Sequence, residues 1–104
     1  MILYNITINI DYDCHLKWLE WMKDKHIPDV LNTGLFLNAK ICRIHAEEQG
    51  GISYSIQYLL KNKSDYENYQ KSHAQRLQKD HNIKFGGKFV AFRTLLEVVY
   101  EKQP

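Results

Sequence analysis

The groups in this chain best suited to chemistry are its five histidines and seven tyrosines, and His26 has the most suggestive surroundings. It stands two residues before Pro28, in the run His26-Ile27-Pro28-Asp29-Val30. Proline has no N–H and its ring clashes with the carbonyl four residues back, here Asp24, so a helix through this point must kink or restart. A carbonyl is then left unpaired. One imidazole nitrogen can bond it while the other faces a pocket, and a neutral imidazole near pH 7 suits general acid–base work. The plainer alternative is a histidine that only caps the broken turn. Asp29 sits in what would be a new first helical turn, where a carboxylate is favoured by the helix dipole.

His73 shares one helical side with Tyr66, Tyr69, Gln70 and Leu77. If that side faces a sheet, His73 and His26 converge on one cavity as catalytic groups; if not, His73 is a surface histidine. Tyr4, Tyr54 and Tyr58 fall on the apolar sides of two strand patterns. A buried hydroxyl without a partner costs about 1–3 kcal/mol, so these three either bond backbone near helix ends or face a polar, ligand-holding pocket. Trp18 and Met22 are candidates for its wall, or plain packing. Arg93 lies mid-strand among apolar neighbours and wants either an acidic partner such as Glu97 or an anionic ligand. Gly86-Gly87 could offer N–H groups to an anion, or simply turn the chain.

Metal chemistry is not expected. His15 and His26 are eleven apart and His73 and His81 eight apart, which does not match the i, i+4 pair of helical metal sites. There is no recognisable nucleophile–histidine–acid order and no Gly-rich phosphate loop before a helix.

The elements that would hold these groups are readable. Ile2, Tyr4, Ile6, Ile8 and Ile10 alternate with polar residues, the period of a half-buried strand. Asp11 or Asp13 can cap a helix on which Leu16, Leu19, Met22, His26 and Val30 share a face, flanked by Trp18 and Trp21. Gly34 stops it. A second strand is predicted over Leu35–His45, then a hairpin at Glu47-Glu48-Gln49-Gly50-Gly51 and a third strand carrying Ile52, Tyr54, Ile56, Tyr58 and Leu60. Ser64-Asp65-Tyr66-Glu67 reads as a capping box opening a helix that runs to about His81. Lys88–Tyr100 makes the last strand, with Val90, Phe92, Leu96 and Val98 on one side.

The order βαββαβ predicts an α+β, ferredoxin-like fold: one domain over residues 1–104, with a four-stranded antiparallel sheet and two helices on one face. The other face would carry Asn5, Thr7, Ser53, Ser55 and Arg93, with Leu3, Leu95 and Val99. That mixed surface suits a sheet-to-sheet homodimer. Apolar residues are 44% and charged residues 25% of the chain, at a net charge of +2, which is ordinary globular composition. The scattered charges give no footprint for nucleic acid or membrane. Two lone cysteines and no apolar run near ~18 residues point to a cytoplasmic protein.

Met1-Ile2-Leu3-Tyr4-Asn5-Ile6-Thr7, the stretch from His26 through Gly34-Leu35-Phe36, and Phe85-Gly86-Gly87-Lys88-Phe89-Val90-Ala91-Phe92-Arg93-Thr94-Leu95-Leu96 resemble a family of short bacterial proteins defined as a domain of unknown function. The likeness covers essentially the whole chain and implies no assigned activity. More distantly, the histidine late in helix one and the following Gly-Leu-Phe are similar to the dimeric α+β barrel superfamily. This resemblance implies a cavity between helices and sheet that binds a small aromatic or other organic molecule. It also implies cofactor-free oxygenation or isomerisation, or a homodimeric ligand sensor or interaction module without catalysis. Asn5 with a histidine on helix two resembles the haem-degrading branch, but Leu59-Leu60 stands where that branch has a tryptophan, so no cofactor is expected, and haem on His73 or His26 is kept only as the outlying alternative.

Overall fold

Ile2, Tyr4, Ile8 and Ile10 become the buried face of β1 (Ile2–Asp11), the strand around which the sheet is built. The computed structural model describes residues 1–46 and 50–104. β1 pairs antiparallel with β3 (Gly51–Leu60) on one side and β4 (Phe89–Glu97) on the other, and β2 (Asn38–Arg43) pairs with β3. The four strands stand in the order β2-β3-β1-β4, the antiparallel sheet expected of βαββαβ. Tyr4 lies opposite Tyr58 and Ile6 opposite Ile56, so both central strands turn their β-branched and aromatic residues to the same side. That side packs against helix residues Trp18, Met22, Val30, Tyr69, Leu77 and Phe85 in one buried cluster.

The first helical segment has three parts. α1 (His15–Trp21) passes into a π turn over Met22–His26, and α2 (Ile27–Leu31) follows with Pro28 in its first turn. The Ile27 N–H bonds the Met22 carbonyl, five residues back. The expected break at Pro28 therefore takes the form of a widened turn just before it, which spares the ring its clash with the Asp24 carbonyl. Neither Asp11 nor Asp13 caps α1: the chain enters through Cys14 with no side-chain cap, and Asp11 is still in the strand. The inward stripe also differs from the predicted one. Trp18 is fully buried while Leu16 is 69% exposed, because the large indole takes the position over the sheet and rotates Leu16 outward.

The second helical segment begins two residues earlier than predicted. Asn62, not Ser64, accepts the Asp65 N–H at 2.9 Å and caps α3 (Lys63–Ser72). A break at His73 (φ −134°, ψ −35°) separates it from α4 (Ala74–Phe85), which runs one turn past His81 before Gly86 and Gly87 (φ 81°) turn the chain. β2 is shorter than the predicted second strand, and Leu37 before it is 44% exposed. Gly50 has the positive φ expected of the hairpin (79°), while Glu47, Glu48 and Gln49 lie outside the described residues.

The last strand is turned over relative to expectation. Arg93 stands opposite Ile6 and Leu95 opposite Tyr4, so both share the helix-facing side, not the open one. Val90, Phe92 and Leu96 pair with Asn9, Thr7 and Leu3 on the open face instead, and Phe92 is 64% exposed. No helix among the described residues is long and apolar enough to cross a membrane.

Candidate functional site

A cavity of about 170 Å³ lies between the sheet and the helical layer. Its floor is Tyr4, Ile6 and Ile8 of β1, Ile56 and Tyr58 of β3, and Phe89, Ala91 and Arg93 of β4. The period of two that builds the strands is what brings these residues to one side. Its roof is Met22 and His26 from the π turn and Tyr69, Gln78, His81 and Asn82 from α3 and α4. The wall holds no carboxylate among the described residues.

His81 was not singled out by sequence reasoning. It follows Leu77 and precedes Phe85 at intervals of four, so extending the inward stripe of the second helix by one turn would have found it. The structure sets it against His26, with ring centroids 5.7 Å apart at an interplanar angle of 65°. Trp21 stacks on His26 at 5.1 Å, and Phe89 meets His81 edge-on at 4.5 Å. The widened turn ahead of Pro28 is what presents His26 at this point.

Trp18 does not line the cavity, yet it defines it. Its indole Nε1–H donates to His81 Nε2 at 2.9 Å. Indole nitrogen can only donate, so Nε2 must be the acceptor and the ring proton resides on Nδ1. Burial pushes the His81 pKa down to about 4, helped by His26 and by the positive charge of Arg93. Burial likewise pushes His26 down to about 4, against the opposing pull of Asp29 and Asp80. Two neutral imidazoles therefore face each other near pH 7, one of them locked in a single tautomer.

Aromatic rings close the other part of the cavity. Tyr4 lies 6.0 Å from Tyr69 and 6.2 Å from Tyr58, and Phe36 packs on Tyr58 at 5.2 Å. Burial raises the pKa values of Tyr4, Tyr58 and Tyr69, so all three stay protonated as donors. The side chains of Gln70 and Arg93 act against that rise at Tyr4, the guanidinium through its positive charge.

Of the predicted site residues, His26, Tyr4, Tyr58, Met22 and Arg93 come together here. Tyr54 does not. Its hydroxyl bonds His15 Nδ1 at 3.0 Å, and it lines a shallow groove between α1 and β2. His73 is also elsewhere, at the break between α3 and α4, with Arg76 Nη2 3.2 Å from its Nδ1. It lines an outer depression with Lys71, Arg76 and Asp80, the surface position that was the alternative to convergence on His26. Asp29 pairs with Lys25 at 3.0 Å. Among the described residues no group of three metal-ligating side chains occurs.

The solved structures resembling this chain share its fold at low identity. A dimeric ferredoxin-like protein from an uncultured marine organism is 14% identical, covers all of both chains and superposes at a TM-score of 0.71. HapK from Hahella chejuensis is 8% identical over 100% of this chain and 98% of its own, at 0.73. A mutant of MhuD, solved with two manganese protoporphyrin IX molecules per active site, is 13% identical over the full length of both, at 0.69. The cavity here does not fit such a group: about 170 Å³ is the scale that admits one benzene-sized ring, not a macrocycle. No match was found among curated proteins. Residues 1–99 match a family described as a domain of unknown function (DUF4286).

Proposed function

This chain belongs to the DUF4286 family, a domain of unknown function, and on that premise we propose that its work is done in the helix-to-sheet cavity: binding one small, single-ring organic molecule and moving a proton on it. The observation that carries this reading is the His26–His81 pair, with His81 held as an Nδ1–H donor by Trp18. His26, neutral, is the base that takes a proton from a carbon beside a carbonyl group. His81 Nδ1–H supplies a hydrogen bond to the enolate oxygen that develops. Return of the proton from His26 to a different carbon completes an isomerisation. The same deprotonated ligand is what cofactor-free oxygenation by dioxygen would consume.

The second reading is non-enzymatic: a homodimeric ligand sensor or, with the cavity largely filled, an interaction module. It is favoured by the cavity volume, about 170 Å³ against the ~300–1,000 Å³ of most small-molecule sites. In either reading the unit is a homodimer joined through the open sheet face, supported by the exposed Val90, Phe92 and Leu96 and by a structural relative described as dimeric.

The test is a ligand screen by thermal shift over single-ring ketones, phenols and acids, with His26→Ala and His81→Gln in parallel. A compound that stabilises the wild type and neither variant places binding at the pair, and solvent-deuterium incorporation into that compound then distinguishes proton transfer from sensing. Stabilisation that survives both substitutions would move the site elsewhere.

A further inference from the structure

Resting on that reading of the cavity, we infer that its ligand is an anion, a single-ring acid whose acidic group seats on Arg93 while its ring lies toward the histidine pair. Four observations lead there. The cavity wall contains a guanidinium, two imidazoles and three phenols, but no carboxylate among the described residues. Its formal charge is therefore positive whenever the imidazoles are neutral. Among the described residues Arg93 forms no ion pair, and Glu97, the acid on its own strand, lines a separate depression with Met1 and Lys61. Tyr4 and Arg93 line the same wall and the guanidinium's charge acts on the Tyr4 hydroxyl, a phenol that does not neutralise it.

The geometry sets the length of the ligand as well as its charge. Arg93 and Phe89 are four residues apart on β4, about 13 Å along the strand. His81 stacks edge-on against Phe89, so the imidazole pair and the root of the arginine side chain mark the two ends of the site. A guanidinium reaching inward leaves space between for one ring, matching the volume. The ring's neighbours there are aromatic and aliphatic, and a planar carboxylate or enolate is the partner a guanidinium fork bonds through two N–H groups. Arg93 stands on the edge strand and is itself exposed, so it also marks the mouth through which an anion would enter.

Binding has a consequence for the histidines. The titratable and charged groups around them are Asp29, Asp80, Arg93 and each other. A bound anion would offset the charge of Arg93 and shift both imidazoles upward, so affinity should rise as pH falls from 7 toward 5.

The experiment compares benzoate with benzamide, nearly equal in shape and different in charge. Binding is followed by titrating the histidine ring resonances of the wild type, Arg93→Gln and Arg93→Lys. The inference expects benzoate to bind at least about tenfold more tightly than benzamide, that advantage to vanish in Arg93→Gln, and part of it to return in Arg93→Lys. Equal binding of the two probes, or a benzoate preference that survives Arg93→Gln, overturns the anion assignment and leaves the cavity reading standing. If neither probe shifts the His26 or His81 resonances at millimolar concentration, both fall together.

Discussion

The two central imidazoles make opposite demands on the fold and on the solvent. Burial holds both near a pKa of about 4, whereas an unfolded histidine titrates near 6.5. Between those values the unfolded chain binds more protons than the native one, so stability is fully present above pH 6.5 and declines as the pH falls toward 4. Between pH 7 and pH 5, before most carboxylates titrate, the loss should be on the order of 1–2 kcal/mol per histidine. Urea unfolding at a series of pH values measures it. His81→Gln, whose amide oxygen can still accept the Trp18 N–H, should flatten the slope over that interval; an unchanged slope would mean that His81 is not the group being titrated. His26 was legible because a proline beside a histidine announces a broken turn. His81 was not, because its value comes from a partner 63 residues away, Trp18, which no local pattern connects to it.

At the scale of elements, period-two strands and the order βαββαβ were legible because alternation and glycine turns are local signals. Two things were not. The last strand is apolar on both sides, Val90 and Phe92 on one and Phe89, Ala91 and Leu95 on the other, so its own pattern does not say which side meets the helices. Only the pairing of Phe92 with Thr7 and of Arg93 with Ile6 decides that, and it moves Arg93 from the open face to the cavity. The start of α3 was ambiguous for a different reason: Asn62 and Ser64 are both good capping residues, two apart. The structure gives the bond to Asn62. Asn62→Ala should therefore cost about 1 kcal/mol in chemical denaturation and Ser64→Ala close to nothing. The reverse order would return the helix start to Ser64. Pro28 acts at this scale too, since the π turn it accompanies determines which way His26 points.

Across the whole sheet, one face is covered by helices and the other is uncovered among the described residues. The uncovered face presents Val90, Phe92 and Leu96 beside Leu3, amid polar Asn5, Thr7, Ser53 and Ser55. A surface of that kind is stable in water when a second copy covers it, with the polar residues supplying register and the apolar ones the driving force. Light scattering should report a dimer at micromolar concentration, and Phe92→Glu should shift it to a folded monomer by placing a carboxylate in the contact. A wild-type monomer would sink the proposal. The cavity opens on the opposite side of the sheet, so a Phe92→Glu monomer that retains its circular dichroism should also retain ligand binding.

The acid–base pair is tested most directly by the protonation state of His81 and His26, read from long-range proton–nitrogen NMR spectra of the histidine rings between pH 4 and 8. Two neutral rings are expected at pH 7, His81 carrying its proton on Nδ1, both titrating near pH 4, with the His81 tautomer becoming mixed in Trp18→Phe. An imidazolium at either position at pH 7, or a His81 proton on Nε2, would contradict this expectation and remove the acid–base pair from the proposed site.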